Sequence, residues 1–169
     1  YIHMRQQLGY DLTNSVYLFP KDLKTEHDKL VLEVNKVEAD KRKQEVNDRF
    51  PDIKKHYRGI RNRYYFENDE YIIRPARSAA EIVDEGRILH HCVGGDSYLT
   101  KHNTGKSYIL FLRFKKAQDA PYITIEIDGT KILQWYGEYD KKPDKENIDN
   151  LLKEYVACLK GNNAIAITA

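Results

Sequence analysis

The sequence predicts an α+β protein: an antiparallel sheet of about five strands covered by helices, with a long helix near the N-terminus. Three observations carry that reading. A Lys- and Glu-rich stretch from Thr25 to about Phe50 holds neither Gly nor Pro. Aromatic and β-branched runs recur between Tyr64 and Tyr136 in blocks of strand length, punctuated by turn residues. An amphipathic stretch then follows Pro143.

Residues 1–24 hold short mixed signals, with Leu8-Gly9-Tyr10-Asp11 and Phe19-Pro20 as breaks. From Thr25, an N-cap candidate, Leu30, Val34 and Val37 recur at helical spacing, then Val46 and Phe50, and Pro51 ends the helix. Tyr64-Tyr65-Phe66 and Tyr71-Ile72-Ile73 flank a polar loop, Glu67 to Glu70, and read as a hairpin. Ser78 and Glu81 form a capping box ahead of a helix containing Ile82, Val83 and Leu89. Tyr98–His102 suits a short helix closed by Gly105. Three strands follow at Ser107–Phe114, Tyr122–Asp128 and Thr130–Tyr136, the last two joined through Asp128-Gly129. Pro143 opens a final helix with Ile148, Leu151, Leu152, Tyr155, Val156 and Leu159 on one face, and Gly161 is expected to stop it. Cys158, beside that face, reads as a small buried hydrophobe. The domain boundaries expected are a helical arm over 1–56, an α+β core over 57–161 and a tail over 162–169.

Composition excludes several classes. The 169 residues carry 28 Lys and Arg against 26 Asp and Glu, a formal charge of +2, with 41% hydrophobic and 32% charged residues. Such a chain can bury a core, and its longest apolar run, Ser107–Phe114, is far short of a membrane span. Tyr1–Tyr10 has no apolar leader pattern, and Cys92 and Cys158 make no disulfide framework, so a cytoplasmic, membrane-free location is expected. A start at Tyr1 rather than Met points to a piece of a longer protein.

The densest polar cluster is His90-His91-Cys92 ahead of Gly94-Gly95, at a helix exit. An imidazole can activate a thiol there, or a thiol and an imidazole can hold a metal; structural zinc wants four ligands, and none is expected here. The plain alternative buries His90 and Cys92 and solvates His91. Glu126 interrupts an Ile-rich strand, and its neighbours depend on hairpin register. A two-residue loop sets it opposite Lys131, as a surface ion pair. A bulged three-residue loop sets it opposite Thr130 and Tyr122 opposite Gln134, which gathers Thr124, Glu126 and Gln134 on one polar face. The Glu-Ile-Asp-Gly-Thr string suits the bulged form. Arg113, near the end of an apolar strand, is either a solvated edge residue or an anion clamp, and Tyr108 on the same strand could bring a hydroxyl to the cluster. The run Lys54–Arg63 has five basic residues in ten, so Arg58, Arg61 and Arg63 are candidates for phosphate contacts.

The stretch Glu85-Gly86-Arg87-Ile88-Leu89-His90-His91-Cys92-Val93-Gly94 resembles the signature of the PcfJ-like proteins, encoded on bacterial conjugative plasmids, integrative elements and phages. The resemblance continues through Tyr98, Gly105, Ile109 to Arg113, Pro121 to Ile127 and Gln134. It extends upstream to Phe19-Pro20-Lys21-Asp22-Leu23 before His27, as in the C-terminal part of a longer member. After Gln134 the family pattern has a basic residue and Gly, then an Asn-rich turn, whereas Trp135-Tyr136-Gly137-Glu138-Tyr139-Asp140 stands here. The order of a histidine, Tyr108 and Glu126 also loosely resembles the His-Tyr-Glu arrangement of some ADP-ribosyltransferases.

The resemblance implies a mobile-element accessory protein and brings no established reaction or cofactor with it. Two functions stay open. One is an enzyme whose pocket joins His90 or His91, Cys92, Glu126 and Gln134, with Arg113, Tyr108 and Thr124 holding a nucleic-acid or nucleotide-like ligand. The other is a non-catalytic module that grips DNA or a protein of a conjugation or phage complex.

Overall fold

A computed structural model describes the backbone of residues 1–168 and the side chains of residues 1–162, and its architecture is α+β. The chain divides into two compact units after Glu45. The first contains α1 (Ile2–Gln7), α2 (Ser15–Leu18) and most of α3 (Leu23–Arg49). Its centre is Arg5, buried with its guanidinium 4.8–4.9 Å from the rings of Tyr1, Tyr10 and Tyr17 and 3.3 Å from Glu26. Such stacking desolvates the charge while the carboxylate balances it. The cap of α3 is Asp22 rather than Thr25: both its carboxylate oxygens accept from Thr25, the backbone N–H and the hydroxyl.

The second unit begins in the last turn of α3. Pro51 ends that helix, and a second helix follows at once. The basic run is itself helical, as α4 (Asp52–Tyr64), because Ile53, Ile60 and Tyr64 give it an apolar side. Strands β1 (Phe66–Glu67) and β2 (Tyr71–Pro75) form the first hairpin, whose turn is closed by Asn68 Oδ1 accepting from the N–H groups of Glu70 and Tyr71. Helix α5 (Ala79–Leu89) is capped by Ser78, and α6 (Asp96–Thr104) ends at Gly105 in the left-handed conformation. Strands β3 (Tyr108–Phe114), β4 (Ile123–Asp128) and β5 (Lys131–Tyr136) complete a five-stranded antiparallel sheet in the order β1-β2-β3-β4-β5.

Alternation along these strands makes two cores. One face, with Leu110, Leu112, Ile123, Ile125 and Trp135, packs on Tyr64 and on α7 (Lys145–Thr168). The other, with Ile109 and Phe111, packs on Ile53, Ile82, Val93 and Leu99. The final helix does not stop at Gly161, since its backbone stays helical to Thr168. Of the tail expected over 162–169, Ala169 and the side chains from Asn163 on lie outside the described residues. Cys158 is exposed, not buried, because it falls just off the apolar face of α7.

The β4–β5 hairpin has neither of the expected registers. Asp128 pairs with Lys131 and Ile127 with Ile132, but Glu126 pairs with Gln134, so Leu133 is an extra residue bulged out of β5. Leu133 is correspondingly exposed. Glu126 therefore faces neither Lys131 nor Thr130. The polar face forms all the same, because directly paired residues point to the same side of an antiparallel sheet.

Candidate functional site

The site grows from the exit of α5. His90 takes the left-handed conformation (φ 53°) at the helix end, a position that costs a non-glycine residue about 1–2 kcal/mol. That reversal carries His91 back over the sheet and leaves His90 outside, exposed and stacked on Tyr139 at 4.6 Å between ring centres. The loop then lies directly on its own helix. A Cβ at Gly86 would sit 2.9 Å from the backbone of both His91 and Gly94, so glycine is required for that approach.

Two chains of hydrogen bonds result. In the first, Arg113 Nη1 donates to Glu85 Oε1 at 2.9 Å, Nη2 pairs with Oε2, and the Thr124 hydroxyl donates to Glu85 Oε1 at 2.9 Å. His91 Nε2 lies 3.0 Å from the same Thr124 oxygen. In the second, Glu126 accepts from Ser107 Oγ at 2.8 Å and from Gln134 Nε2 at 2.6 Å, and Gln134 Nε2 also donates to the Tyr98 hydroxyl at 3.0 Å. Burial raises the pKa of Tyr98 above its ordinary value; the bond from Gln134 opposes the rise, and nearby Cys92 and Glu126 add to it. Lys101 stands 3.7 Å from Glu126 and partly balances its charge.

Between the two chains lies a cavity of about 300 Å³, lined by His91, Cys92, Thr124, Glu126 and Gln134 together with Tyr98, Tyr136 and Asp140. Five of the residues singled out in the sequence thus share one wall. Three others do not. His90 does not line the cavity, being exposed and stacked on Tyr139. Arg113 is no anion clamp: it is 3% exposed, and both terminal nitrogens are taken by Glu85. Tyr108 points to the opposite face of the sheet, paired with Ile127 and packed near Tyr64, His56 and His102, which removes the His-Tyr-Glu arrangement. Among the candidates on α4, Arg58 and Arg61 are exposed on the same side of the helix as Lys54, whereas Arg63 turns away and lies over the Tyr64 ring at 5.0 Å.

Sequence reasoning missed Glu85, Tyr98 and Ser107. Glu85 had a signal: it falls between Ile82 and Leu89 on the inward stripe of α5, as Arg113 falls in an apolar strand, and two opposite charges at inward positions mark a buried pair. Among the described residues, no group of three or more His, Cys, Asp or Glu side chains is placed to hold a metal ion, and no helix is long and apolar enough to cross a membrane.

An α+β fold with an imidazole, a thiol and carboxylates around one cavity defines a class of pocket-bearing protein, not a particular reaction. The chain belongs to the PcfJ-like protein family, whose model matches residues 1–152. It is 25% identical over 165 residues to the uncharacterized protein Lin1253/Lin1744 of Listeria innocua, covering 98% of this chain and 34% of that relative's length. No solved structure matches it.

Proposed function

We propose that the cavity is an enzyme-type site that takes the base or sugar end of a nucleotide-like ligand, with phosphates left outside. One observation carries this reading: the wall presents the carboxylates of Glu126 and Asp140, an amide, hydroxyls and an imidazole beside Tyr98 and Tyr136, and no Lys or Arg lines it. Hydrogen-bonding groups set among aromatic and apolar walls are how proteins read an extruded base, whereas phosphate calls for Arg, Lys or a helix N-terminus. His91 serves as acid/base, Cys92 as the reactive or supporting thiol, and Glu126 as the carboxylate that orients the ligand.

The test is a titration of the whole chain with the common nucleosides and their monophosphates, read by thermal shift and calorimetry. At least one nucleoside is expected to bind, with no gain from its phosphate. Glu126→Gln should weaken it by about tenfold or more, since hydrogen bonds to a charged partner contribute roughly 1.5–3 kcal/mol. Absence of a shift with every nucleoside, or equal affinity in the variant, overturns the reading.

A second reading is contact with a nucleic-acid backbone, favoured by the exposed stripe Lys54, Arg58 and Arg61, none of which makes an ion pair among the described residues. Binding of this kind weakens steeply with salt. Alanines at Arg58 and Arg61 should reduce the log–log salt slope by roughly one per lost contact, while Arg63→Ala should leave it nearly unchanged. Salt-independent binding would remove this reading.

A further inference from the structure

We infer that Glu85 is a positioning residue: acting through Thr124, it fixes the His91 imidazole with its proton on Nε2 and leaves Nδ1 as the nitrogen free to take a proton from a ligand. The inference rests on the cavity reading for its functional meaning, but neither its geometry nor its test needs a ligand.

Glu85 is 2% exposed and engaged by both terminal nitrogens of Arg113, so this carboxylate has no proton to give. Thr124 has one hydroxyl proton and two neighbours within reach, Glu85 Oε1 at 2.9 Å and His91 Nε2 at 3.0 Å. An anionic oxygen accepts more strongly than a neutral imidazole, and two oxygens at 2.9 Å without a proton between them would repel. The Thr124 proton therefore goes to Glu85. Its oxygen then accepts, and His91 Nε2 must donate.

A neutral ring that donates through Nε2 carries its lone pair on Nδ1. Nδ1 makes no hydrogen bond among the described residues, and it is not among the buried side-chain atoms without a partner, which are His102 Nε2 and Arg113 Nε. It is accessible on a residue that lines the cavity. Because Arg113 balances the charge of Glu85, the chain orients the ring rather than pulling its proton away. The buried pair, which removes Arg113 from the ligand's reach, thus acts on the site at second hand.

The experiment is nuclear magnetic resonance of the histidine ring nitrogens in the isotope-labelled, ligand-free whole chain, slightly above neutral pH. In the wild type, His91 is expected to show an unprotonated Nδ1 and an Nε2–H in slow exchange with solvent. Thr124→Val should abolish that slow exchange, and Thr124→Ser should retain it. Replacing the pair together, Glu85→Met with Arg113→Met, frees the Thr124 proton to donate into Nε2 and should move the ring proton to Nδ1. A wild-type proton on Nδ1, a slow Nε2–H that survives in Thr124→Val, or a ring proton that stays on Nε2 in the folded double variant overturns the inference. If the double variant does not fold, the two Thr124 variants decide it. Failure of all nucleosides to bind counts only against the ligand, so the two proposals fail separately.

Discussion

Glu85→Ala is expected to lower the unfolding free energy by about 3–5 kcal/mol, because it strands the Arg113 guanidinium in the interior. Arg113 is 3% exposed, lies 4.7 Å from the Phe111 ring and already has an Nε without a partner, so the neutral Leu112 carbonyl, 3.5 Å from Nη1, is a poor replacement for the lost carboxylate. Thr124 would lose its acceptor as well. The contrast that identifies the cause is Glu85→Met with Arg113→Met, expected to be near neutral or even more stable, since apolar side chains of similar size avoid the desolvation of both charges. Urea unfolding of the three proteins decides it. A single variant within about 1 kcal/mol of wild type would mean that water reaches the guanidinium. The expected pattern also says what the pair is for. An ion pair that apolar residues could replace at no loss is not explained by stability, whereas its hydrogen bond to Thr124 gives it a place in the site.

The elements were legible wherever local chemistry decides them. The Ser78 cap and Gly105 at the end of α6 each have one dominant cause, and the structure follows them. Glu126 was legible as part of a polar wall for a similar reason, as a carboxylate at a buried position of an apolar strand has few places to go, whereas His91 and the exposed Cys92 reach the cavity from the loop after α5. What escaped depends on tertiary neighbours. The basic run hid α4, because its apolar positions are few and become informative only once Ile53 and Tyr64 have cores to enter. The bulge at Leu133 has no sequence signal of its own: the Gly129 turn permits several registers, and the choice falls to Trp135, which must reach the core on one face while Gln134 reaches Glu126 on the other. His90 and His91 could not be told apart from order alone. The left-handed turn at His90 decides which of them enters, and nothing in a His-His pair announces it.

The second large effect is a loss of stability in mild acid traced to His102. This ring is fully buried, and its Nδ1 accepts the Ile109 N–H at 3.1 Å where β3 begins. The proton of the neutral ring is therefore on Nε2, and a second proton would have to sit on Nδ1, against an N–H that already points at it. Burial first, and the charge of His56 second, push the His102 pKa down from 6.5 to about 3. The sign follows from linkage: below 6.5 the unfolded chain binds a proton that the folded one refuses, so stability rises with pH in that window. The contribution is complete above about pH 6.5 and is lost at about 1.4 kcal/mol per pH unit as pH falls toward 3. Carboxylate ion pairs weaken in the same range, so the comparison must be with a variant that keeps the acceptor and cannot titrate. His102→Asn offers its amide oxygen to Ile109. Unfolding free energies of wild type and His102→Asn, measured in steps from neutral pH down to the acid limit of folding, should diverge in slope by about one proton below pH 6. Parallel slopes would show that the ring gains its second proton without unfolding, and that the bond to Ile109 is not what anchors the start of β3.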